Sequence, residues 1–193
     1  MIMMKKYSGN LPATAIKHFP RLIFLAMMIG ISPQLAAQLC SKNDTPETIS
    51  PSNYESNDIG ELRDIRVNNN NLTWYRCFYG QQWNNASQSC SGSPIKLNWQ
   101  DALLAAKNSG WRLPNTKELM SIVDLQCFSP PLHPDLFPEA PASLTSGLWT
   151  STPLQTNLNG SEAYTAAWTI GLGHGKLRHQ TINLLNFVIF VKN

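Results

Sequence analysis

The stretch Gly-Trp-Arg-Leu-Pro-Asn-Thr-Lys-Glu-Leu at residues 110–119 joins the end of one predicted helix to the start of the next. Gly110 can close a helix C-terminus, where a left-handed residue is common. Asn115 follows Pro114 and can cap a second helix, and Glu118 three residues later completes a capping box. The stretch therefore predicts two helices joined by a short connection.

Side chains of the same stretch are predicted to stabilise the fold. Trp111 and Leu113 carry large apolar side chains that we expect to be buried between the helices. We expect Arg112 to hydrogen-bond buried carbonyl groups. A structural role is therefore predicted for Trp111, Arg112, Leu113, Pro114, Asn115 and Glu118.

Upstream of this stretch, Asn98 is a good N-cap for a helix over residues 99–108. Trp99, Ala102, Leu103 and Ala106 then share one face of that helix. Both predicted helices are short and have one apolar face, so each must pack against another layer.

Strands are predicted on both sides of the helices. Residues 72–77 are rich in β-favouring residues, 61–67 alternate weakly, and 68–71 form a polar turn. Downstream candidates are residues 148–151, 163–170, 176–180 and 184–191, with 171–175 as a hairpin connection. The proline-rich segment 129–141 cannot be regular structure. Helices in the middle and strands at both ends predict an α+β fold.

Residues 1–37 have the three parts of a secretory signal peptide, which are a basic stretch, an apolar run at 22–31 and a small-residue exit at Ala37. Ten apolar residues are too few for a bilayer span, which needs about 20. An uncleaved anchor is disfavoured because Pro33 ends the run early. Lipid attachment at Cys40 is disfavoured because the preceding leucine is large. We expect a secreted, periplasmic or cell-surface protein without membrane insertion after cleavage.

The excess of basic residues belongs to this leader. Residues 38–193 contain 11 Lys and Arg against 12 Asp and Glu. Net charge therefore gives no support for binding to nucleic acid. The 156 residues that remain are the size of one domain.

Four cysteines, Cys40, Cys77, Cys90 and Cys127, follow the leader. An even number in an exported chain predicts two disulfides, for which three pairings exist. We prefer Cys77 with Cys90, which closes a short polar loop, and Cys40 with Cys127. A zinc site is disfavoured because no CxxC pair is present. Residues 38–61 are then an extended arm with little to bury, tethered by Cys40, and residues 62–193 are the domain.

Seven segments occur in an order that resembles the Lcl C-terminal domain family, named for a bacterial collagen-like adhesin. They are LTWYRC (72–77), GQQW (80–83), CSG (90–92), WQDAL (99–103), GWRLPNTKEL (110–119), FP (137–138) and LWTST (148–152). The resemblance runs from about residue 62 to residue 191. It implies a fold related to C-type lectins, with two helices against a small antiparallel sheet, and a surface-exposed binding role.

The resemblance also implies trimerisation and binding to sulfated glycosaminoglycans, which are associated with the founding adhesin. This chain differs from the family in two respects. It ends in FVIFVK (187–192) where an Arg-containing strand is usual, and it lacks collagen-like repeats.

Catalytic and metal-dependent functions have little support. The motifs GxSxG, HExxH and the P-loop are absent. The EPN, QPD and WND motifs of calcium-dependent lectins are absent as well. His174 and His179 are a weak candidate metal pair, since no acid follows Glu162. We expect no enzyme activity, no cofactor and no metal.

Charge is segregated between the two ends of the expected mature chain. Residues 41–64 contain six acids and two bases, whereas residues 163–193 contain three bases and no acid. Alternation places Lys176 and Arg178 on one strand face. With His174 and His179 they predict a cationic site for sulfated polysaccharide that strengthens below about pH 6.5.

Trp83, inside the polar disulfide loop, is the aromatic predicted to stack on sugar. A solvated hairpin without a ligand is the simpler interpretation of the basic segment. A structural subunit of an extracellular or envelope assembly, with protein partners only, is the alternative function.

Overall fold

The computed structural model describes residues 39–41, 48–66, 72–158 and 161–193. They all lie within one unit that spans residues 35–193. The predicted signal peptide at residues 1–37 and the predicted turn at 68–71 lie outside the described residues.

Both predicted helices are present with their predicted caps. Helix α1 spans Trp99–Asn108, and the Asn98 side chain accepts the Asp101 N–H at 2.9 Å. Helix α2 spans Thr116–Met120 and begins with the complete capping box. The capping residues therefore fixed the helix starts as predicted.

The strands form small antiparallel sheets, which with the two helices confirm the α+β class. Their bounds are β1 Leu39–Cys40, β2 Tyr54–Ser56, β3 Glu61–Asp64, β4 Thr73–Tyr75, β5 Gln81–Asn84, β6 Ser89–Gly92, β7 Cys127–Phe128, β8 Gly147–Leu158, β9 Ser161–Gly171, β10 Leu177–Thr181 and β11 Val191–Lys192. Two sheets build the body, in the orders β11-β4-β3-β2 and β10-β9-β8. The other two are the pairs β1-β7 and β5-β6.

The β9-β10 hairpin was predicted correctly, with Leu177 opposite Ile170 and Thr181 opposite Ala166. Strand β8 is much longer than the predicted residues 148–151, because it continues to Leu158 against β9. Polar side chains beyond residue 151 hid this extension from a hydrophobicity pattern.

The prediction of a strand over residues 184–191 was wrong for most of its length. Only Val191 belongs to a strand. The backbone before it changes partner repeatedly, since Asn186 pairs with Leu97 whereas the Phe187 N–H bonds to the Gly147 carbonyl. A continuous apolar run signals burial on both faces but not whether one neighbour accompanies the whole run.

This C-terminal segment separates two hydrophobic clusters. Phe187, Ile189 and Val191 belong to the larger cluster, which also contains Trp74 and Leu119. The alternate residues Val188 and Phe190 belong to the second cluster, with Ala102, Ala106, Leu113 and Trp149. Alternation thus supplies both cores from one extended segment.

Both predicted disulfides are present, Cys40–Cys127 and Cys77–Cys90. The extended arm is corrected, because residues 48–61 do more than connect. Tyr54 begins β2, which pairs with β3, and both Ile49 and Tyr54 lie in the larger core. Isolated apolar residues in a polar segment gave no periodic signal, so their burial was missed.

The proline-rich segment 129–141 contains no helix or strand, as predicted. A buried arginine holds it to the sheet. Arg76, only 7% exposed, donates from Nε to the Leu136 carbonyl at 2.9 Å and from Nη2 to the Asp135 carbonyl. Burial lowers the pKa of Arg76.

Candidate functional site

An open groove of about 600 Å³ lies beside the signature stretch, and we call it the motif groove. Its lining comes from α1, from the connection between the helices, from α2, from β8 and from the end of the described chain. The lining residues are Leu103, Ala106, Lys107, Trp111, Arg112, Leu113, Asn115, Glu118, Ser151 and Asn193.

A bidentate ion pair organises the groove. Arg112 donates from Nη1 to Glu118 Oε2 at 2.7 Å and from Nη2 to Glu118 Oε1 at 2.9 Å. Glu118 Oε2 also accepts the Asn115 N–H at 2.7 Å, and Asn115 Oδ1 accepts the Glu118 N–H at 2.9 Å. The remaining side-chain bonds of Arg112 go to the Leu113 carbonyl at 3.4 Å and to Asn193 Oδ1. Planar bidentate pairing fixes both side chains.

The ion pair also sets the protonation of Glu118. Burial, the largest single influence, acts to raise the pKa of Glu118. Hydrogen bonds from Arg112 and from the Asn115 N–H, together with the Arg112 charge, outweigh it, so the pKa is lowered. The carboxylate therefore stays charged and keeps Arg112 compensated.

The indole of Trp111 is half-buried at the groove. The Lys192 ammonium lies 4.5 Å from its ring centroid, and the Tyr75 ring centroid lies 5.7 Å away. Lys192 is in turn ion-paired with Glu61. The lysine charge near Trp111 is thus also compensated.

The structure places the predicted motif residues together, with one change of partner. Arg112 was expected to bond buried carbonyls, but its main partner is the Glu118 carboxylate. The groove itself was not anticipated, because Ser151 and Asn193 reach it from distant parts of the sequence. No local sequence pattern indicates that these residues lie together.

The second region is the basic hairpin, which we define as residues 171–181. Lys176 and Arg178 are exposed, and within the described ranges neither has an acidic partner. Arg178 lies opposite Thr169 in β9. Lys176 directly precedes β10, so the two cations lie two positions apart at the start of that strand.

The two histidines are directed differently. His179 lies opposite Trp168, with ring centroids 5.9 Å apart, and shares the other strand face with Leu177. His174 lies in the turn, with its ring 4.6 Å from that of Phe128. Strand alternation therefore places Arg178 and His179 on opposite faces of β10, so the four predicted residues do not all share one strand face.

Trp83 is half-buried, which corrects the expectation of an open stacking surface. The Arg76 guanidinium lies 4.3 Å from its ring centroid, and Gly60 packs so closely that an added Cβ would lie 2.6 Å from Trp83 Cβ. Its Nε1 is buried and has no hydrogen-bond partner among the described residues. The sequence pattern did not indicate that Arg76, seven residues earlier, lies over the Trp83 ring.

Among the described residues, no group of three or more His, Cys, Asp or Glu side chains is placed to hold a metal ion. Neither described helix has the length and apolar character of a membrane span.

The comparisons with known proteins identify the family. No curated protein and no solved structure matches the chain, so the likeness to C-type lectins stays a prediction of the sequence. The model of the Lcl C-terminal domain matches residues 64–192. That family indicates a surface-associated binding module, and with two disulfides it is compatible with an extracellular or envelope location. With more than half of its length matched, the chain belongs to the Lcl C-terminal domain family.

Proposed function

We propose that this protein is an exported, non-catalytic adhesin-like module that binds sulfated polysaccharide through Lys176 and Arg178 of the basic hairpin. One observation carries the proposal. These two cations lie two positions apart at the start of an edge strand, are both exposed, and have no acidic partner in the described part of the chain. Two residues along a strand span about 7 Å, so the two charges act on one ligand.

Four other cations of the described residues are ion-paired, whereas Lys107 and Lys117, on separate helices, are exposed and have no acidic partner in the described ranges. Arg63 pairs with Glu55, Arg66 with Asp64, Arg112 with Glu118 and Lys192 with Glu61. A compensated cation attracts a polyanion weakly, because the ligand must compete with a neighbouring carboxylate. The hairpin charges meet no such competition.

Two charges supply modest affinity in a single copy. Repetition of the hairpin in an oligomer, such as the trimer implied by the family resemblance, would raise avidity without new contacts. We therefore propose a homo-oligomer as the functional form on the bacterial surface. Export would follow cleavage after Ala37, which N-terminal sequencing of the secreted protein tests.

A structural subunit with protein partners is the second candidate. Strand β10 is the last strand of its sheet, and no strand in the described ranges pairs with its outer edge. An open edge offers backbone donors and acceptors to an extended partner chain. This observation favours protein pairing at the same hairpin.

Heparin binding at a series of salt concentrations tests the main proposal. We expect the affinity for heparin to fall as salt rises. Binding releases counterions from the polyanion, and added salt opposes that release. The double variant Lys176→Ala, Arg178→Ala should lose most of the binding. The control Lys107→Ala, Lys117→Ala removes the same charge from two exposed lysines outside the hairpin and should bind as wild type.

Two results would contradict the proposal. Equal losses in both double variants would show that total charge matters and not the hairpin. Absence of binding at low salt would favour the structural-subunit candidate.

A further inference from the structure

We propose that the motif groove is a second binding site, which takes one uncharged sugar unit of a glycan. The site is separate from the hairpin and uses different residues, so it goes beyond the proposed function. The proposal rests on the charge balance, the free hydrogen-bonding groups and the shape of the groove.

The charge balance disfavours an anion at the centre of the groove. Arg112 directs both terminal nitrogens to fixed acceptors, which are Glu118, the Leu113 carbonyl and Asn193 Oδ1. Glu118 compensates its charge directly. A sulfate would have to displace the carboxylate, whereas a hydroxyl group can bond beside the pair without breaking it.

Several polar groups of the lining remain free for such bonds. The side-chain amide nitrogens of Asn115 and Asn193 and the Ser151 hydroxyl have no partner within the described ranges. Glu118 Oε1 accepts one bond, from Arg112, and can accept another. Sugar hydroxyls donate and accept, so they match this mixture of donors and an acceptor.

The polar groups are also held in place before a ligand arrives. Asn115 is fixed by its capping bond, Glu118 by three bonds, and Arg112 by the bidentate pair. Binding then costs little side-chain entropy. A weak ligand such as a single sugar benefits most from that saving.

Apart from Lys107, the rest of the lining is apolar. Trp111, Leu103 and Leu113 line the groove beside the polar groups. A pyranose ring has a polar rim of hydroxyls and a less polar face of C–H groups, so it suits a site with one wall of each kind. The volume of about 600 Å³ lies in the range of small-molecule sites.

Chemical-shift mapping with simple sugars tests this inference. The probes are glucose, galactose, mannose and N-acetylglucosamine, each added to about 100 mM, which suits affinities in the millimolar range. We expect at least one of them to shift the Trp111 indole N–H and the side-chain amides of Asn115 and Asn193. The shifts should persist in high salt, since no ionic contact is involved.

Two groove variants and one control variant test the location of the site. Asn115→Asp keeps the capping oxygen but removes the amide donor, and we expect at least about fivefold weaker binding. Asn98→Asp also keeps its capping oxygen, loses an amide bond to Asp101 Oδ2, lies outside the groove and should bind as wild type. Ser151→Ala, which leaves both caps intact, should also weaken binding.

Each contrary outcome overturns the inference. These are no shift in the groove with any probe, shifts that are unchanged in both Asn115→Asp and Ser151→Ala, and binding that disappears in high salt. If the hairpin does not bind heparin, this result is unaffected, because the probes used here carry no charge.

Discussion

The motif groove and the basic hairpin both carry cations, but they use them in opposite ways. In the groove, Arg112 is locked to Glu118 by two bonds and supports a helix start. In the hairpin, Lys176 and Arg178 are exposed and contact no acid in the described residues. The first arrangement stabilises the fold, whereas the second leaves charge free for a ligand.

The comparison shows that counting charges along a sequence does not locate a polyanion site. Residues 41–64 and 163–193 differ in charge, but ion pairs such as Lys192 with Glu61 join the two segments and cancel part of the difference. The charge that stays unpaired depends on local contacts in the folded structure. The following predictions test whether the two regions are as different as this account requires.

The largest expected effect comes from Gly175→Ala in the hairpin turn. Gly175 has φ of +69°, and an added Cβ would lie 2.6 Å from Val123 Cγ1. Left-handed strain and overpacking together should cost about 3 kcal/mol of unfolding free energy. Heparin affinity should fall although both hairpin charges remain.

Gly110→Ala is the matched control for that experiment. Gly110 has φ of +75°, but its added Cβ would have no neighbour within 4 Å. It should cost only about 1 kcal/mol in chemical denaturation, from backbone strain alone. Equal costs at the two glycines would show that the Val123 contact does not matter.

Removal of the groove carboxylate comes next. Glu118→Ala leaves Arg112 without its partner and breaks the capping box, which should cost about 2 kcal/mol. Glu118→Gln keeps the capping bond and should cost less. Denaturation of both variants measures the difference, and heparin affinity should not fall in either. A Glu118→Ala protein as stable as wild type would show that the Glu118 carboxylate does not stabilise the fold.

Loss of the cap alone has a smaller effect. Asn115→Ala should cost about 1 kcal/mol. Affinity for sulfated polysaccharide should be unchanged once the folded fraction is taken into account. A stable Asn115→Ala protein that no longer binds heparin would place the polyanion site in the groove.

Acid should lower the free energy of unfolding by protonating Glu118. The loss should be a fraction of the Glu118→Ala cost, because a protonated carboxyl still forms some hydrogen bonds. The pKa of Glu118 is lower in the folded protein than in the unfolded chain. Its contribution is therefore complete above the unfolded value, about 4.3, and is lost as the pH falls through the folded value. Denaturation of wild type and Glu118→Gln between neutral and acidic pH isolates this contribution, since glutamine does not titrate. Parallel pH profiles would refute it.

The smallest expected effect on stability is in the hairpin. The Lys176→Ala, Arg178→Ala protein should unfold within about 0.5 kcal/mol of wild type, since exposed unpaired cations add little. Thermal or chemical denaturation measures this. A large loss would show that these side chains support the fold and would weaken the case for a ligand site.

The features that the sequence predicted correctly are local. Asn98, Asn115 and Glu118 defined helix starts because capping depends on residues within one turn. Cysteine spacing favoured the correct pairing, and glycines marked the β9-β10 turn.

The features that it missed depend on distant partners. Residues 186–190 change neighbours within a few positions, and Tyr54 joins the core from a polar segment. Asn193 bonds to Arg112, which lies 81 residues earlier in the sequence. Contacts between residues that are distant in the sequence leave no periodic pattern in it.

The difference between the two regions is tested most directly by mapping a short heparin oligosaccharide onto the protein by backbone chemical shifts. The account predicts salt-sensitive shifts at residues 171–181 and none at residues 111–119. Shifts centred on residues 111–119, with the hairpin unaffected, would contradict it.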